Sequence, residues 1–208
     1  MRLAATTHQR IYFIGLLLIV VGLLFSKPLM SMAQMLLIIN WLWEGNLKAK
    51  WHRFRTNTGA VLISSIFLLH LIGLTYTADW AYALHDLKIK LPLLVLPLII
   101  SSSQPLSRER FTFVISVFIT TVLIATFVST FVFLGFTNLE SRDIRDISIF
   151  ISHIRFSLLI CLAIFALLYF ATQRHQRNEV RLVQVALAFW LFLFMIILQS
   201  MTGMVILA

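Results

Sequence analysis

Two long stretches without charge constrain this chain more than any other feature. Residues 111–136 form 26 consecutive positions without Asp, Glu, Lys or Arg, and 182–208 form 27 more. A transmembrane helix needs about 20 predominantly apolar residues to cross the hydrocarbon of a bilayer. About a quarter of the residues in a soluble domain are charged, whereas only 12% are charged here. The sequence therefore predicts a polytopic membrane protein.

Seven apolar runs can be drawn, and they predict an all-α, polytopic transmembrane helical bundle of about seven spans. We treat residues 1–208 as one transmembrane domain. Lys27 and Pro28 alone separate the first two runs, which indicates a tight helical hairpin with Pro28 in the first turn of the second helix. Pro97 should kink the fourth helix. The runs are 11–26, 28–43, 56–78, 91–107, 111–136, 156–173 and 182–208.

A short amphipathic helix on the outer surface is predicted near 79–90. Asp79 can cap its first turn, and Asp86 and Lys90 are spaced as an i,i+4 ion pair. Its apolar residues recur at helical spacing on one face. The alternative is that this segment begins a long, tilted fourth transmembrane helix. The apolar residues are Trp80, Leu84, Leu87 and Leu91.

The distribution of basic residues predicts the orientation of the chain. With the N-terminus in the cytoplasm, eleven Lys and Arg residues lie in inside segments and six in outside segments. This bias predicts a multi-pass protein with a cytoplasmic N-terminus. The net charge of +9 resides in short loops between apolar runs, so it does not indicate a nucleic-acid partner.

A polar stretch over 135–160 interrupts the apolar second half and contains the candidate binding residues. Arg142 and Arg145 could offer a planar, permanently charged donor fork to a phosphate. A solvated loop in which neighbouring aspartates neutralise these arginines is the alternative. Arg155 stands at the mouth of the sixth run, where a charge either snorkels outward or faces a polar cavity. His153 could exchange a proton near neutral pH, but its spacing of two from Arg155 points the side chains apart on a helix.

Sequence patterns of the common catalytic sites are missing. The sequence contains no metal-ligand spacing, phosphate-binding loop, dinucleotide glycine pattern or nucleophile elbow. We therefore expect no metal and no cofactor, and the catalytic residues stay unidentified. The apolar runs hold no acidic residues for proton coupling, which argues against a proton-driven transporter.

Six stretches carry a series of motifs over nearly the whole chain. They are LIINWLWEGN (37–46), LHLIGLTYT (69–77), DLKIKLPLLVLPL (86–98), SSSQPLS (101–107), ISHIRFSL (151–158) and QSMTG (199–203). In order and spacing this series resembles the bacterial O-antigen ligase/polymerase family. Each motif is moderately specific by itself, because apolar helices resemble one another.

The resemblance implies an inner-membrane glycan transferase that works at the periplasmic face. Such proteins move a glycan from an undecaprenyl diphosphate carrier to an acceptor glycan or to the lipid A core, without a nucleotide sugar or a metal. Outward-facing arginines hold the diphosphate, and a large periplasmic loop bears the catalytic histidine. On this chain the resemblance points to Arg155, Arg145, Arg142 and His153 as candidates for the diphosphate site.

Two departures from the family pattern qualify this interpretation. The loop with the catalytic histidine is expected beyond residue 208, and Met201 stands where relatives often carry a basic residue. We therefore expect the chain to be the N-terminal portion of a longer family member, with an incomplete catalytic machinery. The alternatives are a polysaccharide or lipid-carrier transporter and a non-catalytic membrane scaffold.

Overall fold

The computed structural model describes residues 2–134, 151–173, 177–198 and 206. Within these ranges the chain is helical and contains no β-strand, which confirms the all-α class. A single 3₁₀ turn follows the fourth helix. The helices are α1 (Arg2–Phe25), α2 (Lys27–Trp43), α3 (Leu47–Thr56), α4 (Thr58–Gly73), α5 (Trp80–Lys90), α6 (Pro92–Ser102), α7 (Arg108–Phe133), α8 (His153–Ala171) and α9 (Asn178–Ile197).

Five stretches in the described ranges are long and apolar enough to cross a membrane, and together they indicate a multi-pass membrane protein. The other two predicted spans are shorter helices. The second run forms α2, which has 17 residues, and the fourth forms α6, which has only 11. At a rise of 1.5 Å per residue α6 is about 16 Å long, roughly half of the hydrocarbon thickness. The five stretches are Thr7–Phe25, Thr58–Tyr76, Arg108–Val132, His153–Ala171 and Asn178–Ile197.

The predicted helix near 79–90 is present as α5. The Asp79 carboxylate accepts a hydrogen bond from the backbone N–H of Tyr82 at 3.0 Å, and Lys90 pairs with Asp86 at 2.6 Å, so both local predictions are confirmed. Leu91 keeps right-handed helical angles (φ −50°, ψ −36°), so no extended residue separates α5 from α6. The helix is interrupted there because Pro92 has no N–H to donate to the preceding turn.

The chain divides into two compact units, which are described separately. The first comprises Met1–Leu16 and Ser31–Ser107, and the second comprises Leu17–Met30 and Arg108–Ala208. Both α1 and α2 contribute to each unit.

In the second unit α8 packs against α9 and α7. Its core contains Ile160 and Leu191, both fully buried, and the rings of Phe156 and Phe194 meet edge to face at 5.7 Å. Arg108, the first residue of α7, donates a hydrogen bond to the side chain of Gln173 just beyond the end of α8, at 3.2 Å. The start of α7 and the end of α8 therefore lie side by side, so these two helices run antiparallel.

The hairpin predicted between the first two runs is also present. Ser26 is the one residue between α1 and α2, and its carbonyl accepts a hydrogen bond from the backbone N–H of Met30 at 3.0 Å. A Cβ atom on Gly22 would lie 2.7 Å from the nitrogen of Met30. Only glycine therefore permits the two backbones to approach this closely at the turn.

One helix of the first unit was not predicted. The segment after α2 forms α3 (Leu47–Thr56), after Gly45 (φ 71°) and Asn46 (φ 55°) turn the chain through the left-handed region. Glycine and asparagine are the residues that tolerate this conformation, so they end α2 and redirect the backbone. The basic residues expected in a loop therefore stand on a short helix with a defined face.

Candidate functional site

The two described residues of the predicted diphosphate site lie at the beginning of α8. His153 is the first residue of the helix and is half-buried, whereas Arg155 is the third residue and is exposed. Neither side chain forms a hydrogen bond or ion pair with any residue in the described ranges. Arg142 and Arg145 lie outside the described residues.

The beginning of α8 has the electrostatics of an anion-binding position. Ser152 precedes the helix, but its side chain makes no capping hydrogen bond to the first turn. The initial N–H groups of a helix carry partial positive charge and favour a negative group. Arg155 adds a full positive charge beside them. Because His153 and Arg155 stand two positions apart, they point to different sides of the helix, as the sequence predicted.

The structure assembles a second polar group of residues, in the first unit, that the sequence did not predict. Lys50 is 4% exposed, and its ammonium group lies 2.8 Å from the carboxylate of Glu44. The same nitrogen donates to the backbone carbonyl of Trp41 at 2.5 Å and lies 4.9 Å from the centre of the Trp41 ring. A buried ammonium is costly unless it is paired and hydrogen-bonded, and here both conditions are met.

The end of α6 joins the same group of residues through Ser102. The indole N–H of Trp41 donates to the Ser102 hydroxyl at 2.7 Å, and Arg53 donates to the Ser102 carbonyl at 3.2 Å. A cation beside the last carbonyls of a helix is favourable, because those carbonyls have no partner within the helix. We call Trp41, Glu44, Lys50, Arg53 and Ser102 the Lys50 cluster.

Two further contacts bring the start of α1 to the same end of the first unit. His8 hydrogen-bonds the Asn40 side chain through its Nδ1 at 2.8 Å, and Asn40 donates back to the His8 carbonyl at 3.1 Å. The side chains of Gln9 and Gln104 are also hydrogen-bonded. The same end of this unit therefore contains the beginning of α1, the end of α2 and the end of α6.

A cavity of about 950 Å³ opens next to the Lys50 cluster, between α3, α4 and α6. Arg53, Asn57 and Gln104 supply polar groups to its lining. Ile63 and Leu96 are among the residues that supply its apolar wall. The cavity therefore combines a guanidinium and amides with a hydrocarbon surface.

The sequence of α3 carries a helical signal besides its positive charge. Leu47, Trp51 and Phe54 are spaced as one face of a helix. The burial of Lys50 had no comparable signal, because it depends on Trp41 and Glu44 folding back over α3.

No group of three His, Cys, Asp or Glu side chains converges as a metal site would require, in the part of the chain that the structure describes. The one cysteine, Cys161, is buried in the core of the second unit. Comparisons with protein-family models, with curated proteins and with solved structures found no match to this chain.

Proposed function

We propose that this chain is a multi-pass protein of the bacterial inner membrane that takes part in surface polysaccharide synthesis. In this proposal it holds an undecaprenyl-diphosphate-linked glycan at the periplasmic face, where the glycan is transferred to an acceptor glycan or to the lipid A core. The supporting observation is Arg155, which is exposed in the uncapped first turn of α8 without an anionic partner among the described residues.

The chemistry of such a transfer matches what this helix end offers. When the glycan leaves its carrier, negative charge builds up on the diphosphate, and fixed positive groups lower the barrier by stabilising that charge. The guanidinium of Arg155 supplies paired donors to phosphate oxygens, and the first N–H groups of α8 add partial positive charge. In the proposed site Arg142 and Arg145 contribute further charge from the preceding polar stretch.

Seven crossings with a cytoplasmic N-terminus put Arg155 on the periplasmic side. This arrangement requires α2 and α6 to cross although they are short. It is supported by the contacts of His8 with Asn40 and of Gln9 with Gln104, because both place the ends of α2 and α6 beside the start of α1. The helical angles of Leu91 support it further, since no extended residue separates the short helix α6 from α5. In this topology the Lys50 cluster lies at the cytoplasmic end.

The function is tested by deleting the gene and restoring it with the wild-type or the Arg155→Ala sequence. We expect the wild type to restore surface polysaccharide on gels, and Arg155→Ala to leave the glycan on its lipid carrier. Arg181→Ala is the matched control, because Arg181 is also an exposed arginine near the start of an uncapped helix, α9. The proposed topology puts it at the cytoplasmic face. Unchanged polysaccharide with Arg155→Ala would contradict the role of Arg155.

A further inference from the structure

We propose that the cavity between α3, α4 and α6 binds an anionic phospholipid and that Arg53 holds its phosphate. The inference concerns a different part of the molecule from the glycan site. It requires only that the chain lies in a membrane, which the five long apolar stretches indicate.

The first observation is that the cavity is polar at one end and apolar at the other. Arg53 is in the last turn of α3, Asn57 lies between α3 and α4, and Gln104 follows α6. Ile63 and Leu96 stand farther inside α4 and α6. Leu96 precedes the end of α6 by six residues, about 9 Å along the helix. Along the helices the lining therefore changes from a guanidinium and amide groups to apolar side chains. A lipid changes in the same way from its polar headgroup to its acyl chains.

The second observation is the state of the Arg53 side chain. One of its terminal nitrogens donates to the Ser102 carbonyl, which fixes the guanidinium at the cavity. A guanidinium has five N–H donors, so most of them remain available to a ligand. The ion pairs Lys50–Glu44 and Lys90–Asp86 do not involve Arg53. A phosphate is one of the anions that suit this planar fork.

The third observation is the positive charge of α3, the helix that carries Arg53. Helix α3 has the sequence LKAKWHRFRT and contains no acidic residue. Lys48 and Arg55 are exposed on it in addition to Arg53, whereas Lys50 is already neutralised by Glu44. Basic residues beside an exposed tryptophan, here Trp51, are typical of a helix that lies against anionic headgroups.

The size and the walls of the cavity favour a lipid over inorganic phosphate. A volume of about 950 Å³ far exceeds what one phosphate ion fills, and an ion gains nothing from the apolar wall. Ser101 also lines the cavity, and its hydroxyl oxygen is buried without a hydrogen-bond partner among the described residues. Buried polar atoms are nearly always paired, so a headgroup that reaches this hydroxyl would supply the missing partner.

Native mass spectrometry of the delipidated full chain in mild detergent tests the proposal directly. Phosphatidylglycerol, phosphatidylcholine and inorganic phosphate are each titrated against the wild type, Arg53→Gln, Ile100→Trp and Arg181→Gln. Ile100 lines the cavity and is half-exposed, so tryptophan there fills the space without removing a charge or a core residue. Equal helix content by circular dichroism shows that each variant is folded.

We expect one phosphatidylglycerol to bind the wild type with an affinity about tenfold above that of phosphatidylcholine. Both lipids carry the phosphate that Arg53 would hold, but the choline cation of phosphatidylcholine is repelled by the positive charge of α3. Arg53→Gln and Ile100→Trp should each reduce that affinity about tenfold, and Arg181→Gln should leave it unchanged. Equal losses in Arg53→Gln and Arg181→Gln would show diffuse charge attraction and overturn the proposal. So would equal affinity for both lipids, displacement of the lipid by equimolar inorganic phosphate, or a peak for a second copy of the chain instead of lipid. None of these outcomes depends on glycan transfer.

Discussion

Lys50 and Glu44 form a nearly buried ion pair, with 2.8 Å between the ammonium nitrogen and the nearer carboxylate oxygen. The pair closes the turn between α2 and α3, because Glu44 directly follows α2 and Lys50 is in the first turn of α3. The Trp41 carbonyl accepts the same ammonium group near the end of α2. The link joins the end of α2 to the short basic helix α3, whose last turn carries Arg53 at the cavity.

We expect Glu44→Gln to destabilise the chain, because it leaves the Lys50 charge buried without its anion. Removing one partner of a fully buried pair costs several kcal/mol. The Glu44 side chain is 26% exposed, so we expect a loss of about 2 kcal/mol, discounted for solvent screening. Thermal unfolding in detergent measures this loss of stability. The double change Glu44→Gln with Lys50→Met should recover at least half of the loss, and a single variant as stable as the wild type would refute the pair's role.

Gly22→Ala tests the close approach in the α1–α2 hairpin. Its new Cβ would lie 2.7 Å from the nitrogen and 3.0 Å from the Cα of Met30, and both are backbone atoms that cannot rotate away. We expect a loss of about 1–3 kcal/mol, as for other overpacked sites, measured by thermal unfolding. Gly73→Ala is the control, because a Cβ there meets no atom within 4 Å. Equal stability of the two variants would show that the hairpin does not require glycine.

Packing should matter more than hydrogen bonding in the core of the second unit. The indole N–H of Trp190 donates to the Thr126 hydroxyl at 3.3 Å, and Thr126→Val should cost only about 0.6 kcal/mol, as hydrogen bonds between membrane helices do on average. Leu191 is fully buried, and Leu191→Ala should cost about 2 kcal/mol or more through the cavity it leaves. Chemical or thermal unfolding ranks the two variants. A larger loss of stability from Thr126→Val than from Leu191→Ala would show that hydrogen bonding matters more than packing in this core.

Cysteine labelling determines whether the short helix α6 crosses the membrane. Lys88 in α5 precedes α6, Glu109 in α7 follows it, and both side chains are exposed. Each can therefore be replaced by cysteine and treated with an impermeant thiol reagent. We expect Lys88→Cys to react from outside the cell and Glu109→Cys only after the membrane is opened. The unaltered chain is the control, because its one cysteine, Cys161, is buried and a buried thiol is unreactive. Reaction of both positions from the same side would leave α6 without a crossing.

Local sequence rules predicted several parts of the fold correctly. Asp79 caps α5 and Pro28 lies in the first turn of α2, as expected, because each effect depends on residues within one helical turn. The predicted length of the fourth helix, over 91–107, was wrong. The helix ends at Ser102, and Ser103 is extended, so the polar residues up to 107 do not lengthen it.

Contacts between distant residues account for what the sequence could not predict. Lys50 was expected in a solvated inside loop, yet it is buried because Trp41 and Glu44 fold over it. The hydrogen bonds of Ser102 with Trp41 and Arg53 join residues 61 and 49 positions apart. At the predicted diphosphate site, Arg155 could be located from its position at the edge of an apolar run, because that edge is a local property. Its ligand stays a prediction.

Binding of the lipid-linked glycan is the measurement that tests the central claim most directly. The chain is reconstituted in nanodiscs, and its affinity for a labelled undecaprenyl-diphosphate glycan is compared between wild type, Arg155→Ala, Arg155→Lys and Arg181→Ala. We expect Arg155→Ala to weaken binding about tenfold and Arg155→Lys to weaken it less, because lysine keeps the charge but loses the donor fork. Arg181→Ala should bind as the wild type does. Equal affinity of Arg155→Ala and wild type, or no binding by the wild type, would contradict a diphosphate site at the beginning of α8.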